Sequence, residues 1–254
     1  MRNTSENVTV MHRLVFFALL LAPALAQADT VLYNGALNTT PDQQGWTYLT
    51  NPNPGQATQT AGGGVTTLDT TARNLDMAGY FSNSLPNVGT LNRAIGYSIS
   101  FQLRLVQESH VSNDRAGFSL IALSSDTRGI ELGFWTNEVW AQNAGFTHGE
   151  GASFNTSLSL TNYALTVLGN NYTLTANGTT LLTGTLRDYS AFGPPYTFTN
   201  FLFLGDNTTS ASARVEIARV AIVPEPASWS LLALGVVGAA AFKFRSRYVN
   251  ISDC

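Results

Sequence analysis

The chain has 254 residues, of which 44% are hydrophobic and only 11% are charged, and its net charge is −3. Residues 29–222, between two apolar ends, carry eight arginines, no lysine and thirteen acidic residues, a net charge of −5. This balance leaves no basic stripe for nucleic acid, so no nucleic-acid partner is expected. The single cysteine, Cys254, cannot form an internal disulfide, so core burial alone must stabilise the domain.

The first apolar segment has the features of a secretory signal peptide. Arg13 precedes a short apolar run, and small residues follow it. Signal peptidases cut after small residues in an A-x-A pattern, which predicts cleavage after Ala28, with Ala26 as the alternative. The predicted signal covers residues 1–28. Met11 is an alternative initiator, because the ten residues before it carry little basic charge.

Residues 29–222 are predicted to form one β-rich domain, because apolar residues alternate with polar ones throughout. Residues 95–105 alternate along their whole length, as a strand with one buried face must. The side chains expected to point inward there are Tyr97, Ile99, Phe101, Leu103 and Leu105. Asn177-Gly178 tolerates the positive φ of a two-residue hairpin turn. Further strands are predicted at 116–123, 130–135, 138–142, 163–168, 172–176, 180–186 and 214–223, and at 201–204 with both faces covered.

Many short strands without intervening helices predict an all-β fold of two packed antiparallel sheets, a jelly-roll sandwich. Residues 112–120, 129–135 and 139–142 look like the central strands of concanavalin A-like lectin and glucanase domains. With Leu32-Tyr33-Asn34-Gly35, Gln44-Gly45-Trp46 and residues 203–207, the exported region also resembles the choice-of-anchor domains. The first resemblance implies a groove lined by outward residues, and the second implies export without a particular activity.

The hairpin of residues 130–142 is the candidate binding site. If its apolar residues face the core, a two-residue turn at Thr136-Asn137 pairs Trp135 with Glu138, Gly133 with Trp140, and Glu131 with Gln142. Aromatic faces beside hydrogen-bonding groups are surfaces on which sugar rings dock. The predicted ligand-binding residues, all on one exposed face, are Glu131, Trp135, Glu138, Trp140 and Gln142. The alternative is that the tryptophans belong to the core.

Two chemical alternatives remain open for this domain, and no cofactor is indicated. A glycan-cleaving enzyme would use Glu131 with Glu138 or Glu150, since glycoside hydrolysis needs two carboxylates. Laminarinase-type relatives of the lectin fold carry three acids on one strand, and this chain has only Glu131 there, so no catalytic residues are assigned. Calcium is weakly indicated by the loop acids Asp114 and Asp206, because oxygen ligands suit that ion. His110 and His148 form no ligand spacing.

The C-terminal segment, residues 223–254, has three features in a fixed order. Pro224-Glu225-Pro226 is followed by an apolar run and then by the basic residues Lys243, Arg245 and Arg247. A helix over residues 227–244 would reach about 27 Å, just under a ~30 Å hydrocarbon core. The basic residues would stay on the cytoplasmic side, which leaves the preceding domain outside.

This arrangement resembles the PEP-CTERM sorting signal of Gram-negative and related bacteria. The resemblance implies that an exosortase cuts near Pro224-Glu225-Pro226 and releases or re-anchors the domain at the cell surface. The chain departs from the pattern at residues 248–254, which continue past the basic cluster. The alternative is a plain single-pass anchor.

Together these observations predict an exported bacterial protein, anchored in the inner membrane in transit and then placed in the cell envelope or extracellular matrix. Its expected partners are an exosortase-type enzyme and an extracellular polysaccharide. The predicted role is non-catalytic carbohydrate binding or a structural role, with a glycan-cleaving enzyme and a purely structural adhesin or spacer as the alternatives.

Overall fold

The computed structural model describes residues 28–51 and 55–223. These residues form fifteen strands in two antiparallel sheets. The strands are β1 Thr30–Asn34, β2 Thr47–Thr50, β3 Thr58–Gly62, β4 Val65–Asp69, β5 Ala78–Phe81, β6 Tyr97–His110, β7 Ser119–Leu123, β8 Gly129–Phe134, β9 Glu138–Gln142, β10 His148–Ser153, β11 Thr161–Leu168, β12 Asn171–Ala176, β13 Thr179–Thr185, β14 Phe201–Asp206 and β15 Ala211–Val223. Short 3₁₀ helices lie at Gly35–Leu37, Pro41–Gln44, Ser82–Ser84 and Ser190–Phe192.

The eight-stranded sheet has the order β13-β12-β11-β6-β15-β4-β3, and β1 also pairs with β15. The seven-stranded sheet has the order β10-β9-β8-β7-β14-β5-β2. The predicted all-β antiparallel sandwich of jelly-roll type is therefore confirmed. The last described strand, β15, lies in the interior of its sheet, between β6 and β4.

The space between the sheets is filled by the side chains that the alternating pattern predicted. Tyr97, Ile99, Phe101, Leu103 and Leu105 on β6 are all buried in this core. They meet the inward residues of β8 and β9, which are Ile130, Leu132, Phe134, Val139 and Ala141. Burial of apolar area on this scale is the main force that holds the two sheets together.

A second, smaller core covers the outer face of the seven-stranded sheet. Alternate residues of β14 face opposite ways, so Leu202 and Leu204 enter the main core while Phe201 and Phe203 enter the second one. Residues 187–200, which we call the cover segment, lie over this outer face and contribute Tyr189 and Tyr196. The prediction that residues 201–204 are buried on both faces is confirmed.

The predicted strand bounds match the structure at their centres and differ at their ends. Strand β6 continues to His110. Strand β7 begins at Ser119 and not at 116, because residues 117–118 form a bend before the strand. Strands β1 to β5 and β10 were not predicted as strands, although residues 32–35 and 44–46 carried the family resemblance. Asn177 and Gly178 have positive φ values of 48° and 80°, which confirms the predicted hairpin turn.

Several predictions concern residues outside the described ranges. The signal-peptide body, including Ala26, lies there, while Ala28 is the first described residue. Residues 224–254, including Pro224, Glu225, Pro226, Lys243, Arg245 and Arg247, also lie outside. Within residues 28–51 and 55–223, none of the helices has the length and apolar character needed to cross a bilayer.

Candidate functional site

The β8-β9 hairpin has the predicted pairing, but its outer face is covered. Gly133 lies opposite Trp140, and the backbone N–H of Trp135 donates to the carbonyl of Glu138 at 2.9 Å. Glu131, Trp140 and Gln142 are nevertheless buried. The predicted exposed face is therefore wrong, because the His148 ring packs on Trp140 and the cover segment lies against Glu131 and Gln142.

Trp140 belongs to an aromatic cluster on this outer face and not to the core between the sheets. Its indole lies over Gly133, where a Cβ atom would come within 2.7 Å of Trp140 Cε2. Trp140 stacks on His148 with ring centroids 4.4 Å apart, and Trp135 stacks on His110 at 4.2 Å. We call these four residues the tryptophan–histidine cluster. Sequence spacing did not predict it, because His110 and His148 come from β6 and β10.

Each histidine of the cluster also contacts a carboxylate. His110 Nδ1 lies 2.9 Å from Glu108 Oε1, and His148 Nε2 lies 3.3 Å from Glu138 Oε1. Burial raises the pKa of Glu108 above its usual value. Trp135 Nε1 donates to the Arg115 carbonyl at 2.9 Å. Trp140 Nε1 is buried and has no hydrogen-bond partner among the described residues. The cluster is therefore packed mainly through its ring contacts, with Trp135 and the histidines only partly exposed.

Trp140→Ala is expected to lower the free energy of unfolding by about 3 kcal/mol or more, because it deletes a buried indole and leaves a cavity over Gly133. Urea unfolding followed by circular dichroism measures this change. An unchanged midpoint would contradict the burial of Trp140. Loss of ligand binding in this variant would therefore not identify Trp140 as a binding residue.

Glu131 lies on the outer face of β8, in a hydrogen-bond network that reaches the cover segment. Tyr196 Oη donates to Glu131 Oε2 at 2.7 Å, and Asn207 Nδ2 donates to Oε1 at 2.9 Å. Tyr189 Oη donates to the Gln142 carbonyl at 2.6 Å, which ties the cover segment to β9. Burial raises the pKa of Glu131, and the hydrogen bonds from Tyr196 and Asn207 and the positive charge of Arg115 oppose this shift only in part.

A cleft of about 220 Å³ opens beside Glu131. It combines hydrogen-bonding groups with two aromatic rings, and its lining includes Asp114, Arg115, Glu131, Gln142, Phe146, Tyr196 and Asn207. Two of the five predicted binding residues, Glu131 and Gln142, line this cleft. Trp135, Glu138 and Trp140 lie in or against the tryptophan–histidine cluster instead. The sequence did not indicate Arg115, Tyr196 or Asn207 as site residues.

The acid pairs that a glycan-cleaving mechanism would need are not brought together. Glu131 and Glu138 lie at opposite ends of the hairpin, separated by the Gly133–Trp140 pair, so their backbones are on the order of 13 Å apart. Glu150 accepts a hydrogen bond from Tyr172 Oη at 2.6 Å and pairs with Arg187. Because Tyr172 belongs to the core between the sheets, Glu150 points away from Glu131 on the outer face.

The two weak calcium candidates are separately hydrogen-bonded. Asp114 Oδ1 accepts from the backbone N–H of His148 at 2.7 Å. Asp206 is buried and accepts from Thr70 Oγ1 at 2.7 Å, and burial raises its pKa to about 8. A carboxyl that favours its neutral form is a poor calcium ligand. Within residues 28–51 and 55–223, no three His, Cys, Asp or Glu side chains form a metal-ligand group.

Residues 223–247 match the PEP-CTERM protein-sorting motif. The match covers the Pro-Glu-Pro tripeptide, the apolar run and the basic cluster, as predicted. The motif indicates export, anchoring in the membrane in transit, and processing by an exosortase-type system. No curated protein sequence matches the chain.

Several solved structures share the fold at low sequence identity. A carbohydrate esterase from Shiga toxin-encoding bacteriophage phi24B is 16% identical with a TM-score of 0.52, over 77% of this chain and 98% of that one. A Bacillus subtilis protein of unknown function with a galectin-like fold is 10% identical with a TM-score of 0.51, over 78% and 98%. The laminarinase from Rhodothermus marinus is 12% identical with a TM-score of 0.47, over 77% and 97%.

Together, the sandwich fold and the sorting motif define the class of this protein. It is an exported jelly-roll protein that carries a PEP-CTERM sorting motif at its C-terminal end.

Proposed function

We propose that this protein acts at the cell surface or in the extracellular matrix, where its domain binds a polysaccharide without cleaving it. The observation that carries the proposal is the cleft beside Glu131, in which acid, amide and phenol groups converge next to the ring of Phe146. Saccharides are bound by this combination, because their hydroxyl groups need both donors and acceptors while their C–H faces pack on aromatic rings.

A second cleft on the same outer face supports an extended ligand. Its volume is about 470 Å³, and Tyr196 and Asn207 line it as well as the first cleft. Most of its other lining is apolar, including Met77, Phe81 and Pro195. Two clefts that share a wall suit a chain of sugar units better than a single small molecule.

The non-catalytic part of the proposal is supported by the positions of the acids. Glu131, Glu138 and Glu150 lie in three separate hydrogen-bond networks, and no two of them share a hydrogen-bond partner in the described part of the chain. Glycoside hydrolysis needs two carboxyl groups that face the same bond. The fold shared with a carbohydrate esterase carries no activity with it, because one fold serves many functions.

Asn207→Ala is expected to weaken saccharide binding about tenfold, because it removes a donor that both clefts share and frees Tyr196 and Glu131 to move. The wild type and variant would be screened on a glycan array, and affinities for the bound glycans measured by calorimetry. Asn83→Ala is the matched control, since Asn83 is exposed and lines a different cleft. Binding that Asn207→Ala leaves unchanged would place the ligand elsewhere, and no binding at all would favour a structural adhesin or spacer. Release of shorter products would contradict the non-catalytic proposal.

A further inference from the structure

Arg115 differs from every other arginine in the described part of the chain. Residues 28–51 and 55–223 contain eight arginines, and seven of them lie within 4.0 Å of a carboxylate. Arg115 alone among these eight has no such ion pair. It lines the cleft beside Glu131. In a domain with thirteen acidic residues, a cleft arginine without a carboxylate partner leaves positive charge available for a ligand.

The guanidinium of Arg115 is held in place by one of its nitrogen atoms. Nη1 donates to the carbonyl of Asp114 at 2.6 Å and to the carbonyl of Phe146 at 2.5 Å. The guanidinium carbon also lies 5.7 Å from the centre of the Phe146 ring. Nε and Nη2 make no hydrogen bond to any other residue within the described ranges. Together these two nitrogens form the planar fork that matches the two oxygens of a carboxylate.

The other acids at the cleft form no ion pair with this fork. Both side-chain oxygens of Glu131 are occupied, because Tyr196 Oη donates to Oε2 and Asn207 Nδ2 donates to Oε1. Burial raises the pKa of Glu131, and the positive charge of Arg115 opposes this shift only in part. Asp114 also lines the cleft, and its Oδ1 is occupied by the backbone N–H of His148. Asp114 contacts Arg115 through its backbone carbonyl, and their side chains form no ion pair.

We propose that this cleft selects acidic saccharides, and that the free edge of Arg115 binds the carboxylate of a uronic-acid residue in two parallel hydrogen bonds. This inference rests on the proposed saccharide-binding function. In it, Gln142, Tyr196 and Asn207 take the hydroxyl groups of the same sugar, and Phe146 packs against its apolar face. A neutral sugar in this cleft would leave the guanidinium without its anion.

The test compares three probes by calorimetry on the wild-type domain: an oligogalacturonate, its fully methyl-esterified form and a sulfated galactan oligosaccharide. The oligogalacturonate should bind about tenfold or more tightly than the ester, because esterification removes the charge and keeps the ring. Arg115→Gln should abolish this preference, and Arg115→Lys should keep only part of it. Arg128→Gln is the matched control, because Arg128 pairs with Asp188 and does not line the cleft.

Equal binding of the acid and the ester would overturn this inference and leave saccharide binding standing. Tighter binding of the sulfated probe would also overturn it, since the ligand group would then be a sulfate. Failure of all three probes and of a neutral glycan array would overturn the proposed function as well. The comparison of acid with ester needs only the wild type, so a folding defect in Arg115→Gln leaves the test decisive.

Discussion

Gly117→Ala is expected to lower the free energy of unfolding by about 3 kcal/mol, because a methyl group at this position would overlap the backbone of β15. A Cβ atom on Gly117 would lie 2.1 Å from the carbonyl carbon of Ser212 and 2.6 Å from the backbone nitrogen of Ala213. These are backbone atoms of β15, which pairs with β6 and β4 and cannot shift without breaking its sheet. Gly117 is thus the point where the chain entering β7 passes directly over the opposite sheet.

The matched control for this prediction is Gly62→Ala at the end of β3. A Cβ atom there has no other heavy atom within 4 Å. Thermal unfolding and urea denaturation of the two variants measure the difference directly. Similar midpoints for Gly117→Ala and the wild type would show that the two sheets do not approach this closely.

Asp206→Asn is expected to stabilise the domain by about 5 kcal/mol at pH 8 and to have little effect near pH 4, since each unit of pKa shift corresponds to about 1.4 kcal/mol. Burial raises the pKa of Asp206 from 3.8 to about 8, and the nearby acids Asp76 and Glu108 add to this shift. Below pH 4 both the folded and the unfolded chain hold the proton. Between pH 4 and 8 only the unfolded chain releases it, so the stability of the wild type falls as the pH rises.

Asparagine at this position mimics the protonated acid. Thr70 Oγ1 donates to Asp206 Oδ2 at 2.7 Å and lies 3.3 Å from the Ala213 carbonyl. When a protonated carboxyl or an amide donates to Thr70 Oγ1, the hydroxyl can donate to that carbonyl instead. Urea unfolding at several pH values would measure the gap between wild type and variant. Asp42→Asn, at an exposed position, controls for the loss of one negative charge. A gap that stays constant from pH 4 to pH 8, or a less stable variant at pH 8, would contradict the prediction.

Alternation of side chains was sufficient to predict the strands that border the main core. Strand β6 was recognisable because its apolar residues recur at every second position, and the β8-β9 pairing followed from the two-residue turn. Strand β10 was missed because its sequence, His-Gly-Glu-Gly-Ala-Ser, has almost no apolar residues to alternate. Strands β3 and β4 are rich in threonine and contain few large apolar residues, so their sequences show only a weak alternation of apolar and polar residues.

The candidate site was only partly predictable, because the cover segment that lies over it comes from a distant part of the chain. The pattern of β8 and β9 correctly placed Glu131 and Gln142 on the same face. It could not show that Tyr196, 65 residues further on, would cover Glu131. The sequence could not single out Arg115 for a related reason. Whether an arginine has a carboxylate partner depends on long-range pairing, as Arg219 and Asp29 show across 190 residues.

The central position of β15 has a consequence for the order of events during export. This strand joins β1, β4 and β6, and it ends at Val223, where the sorting motif begins. The eight-stranded sheet therefore cannot close until the final segment of the domain has left the translocation channel. The sorting motif also follows an interior strand and not an edge strand, so a force applied from the membrane is shared by the strands paired with β15 on both sides.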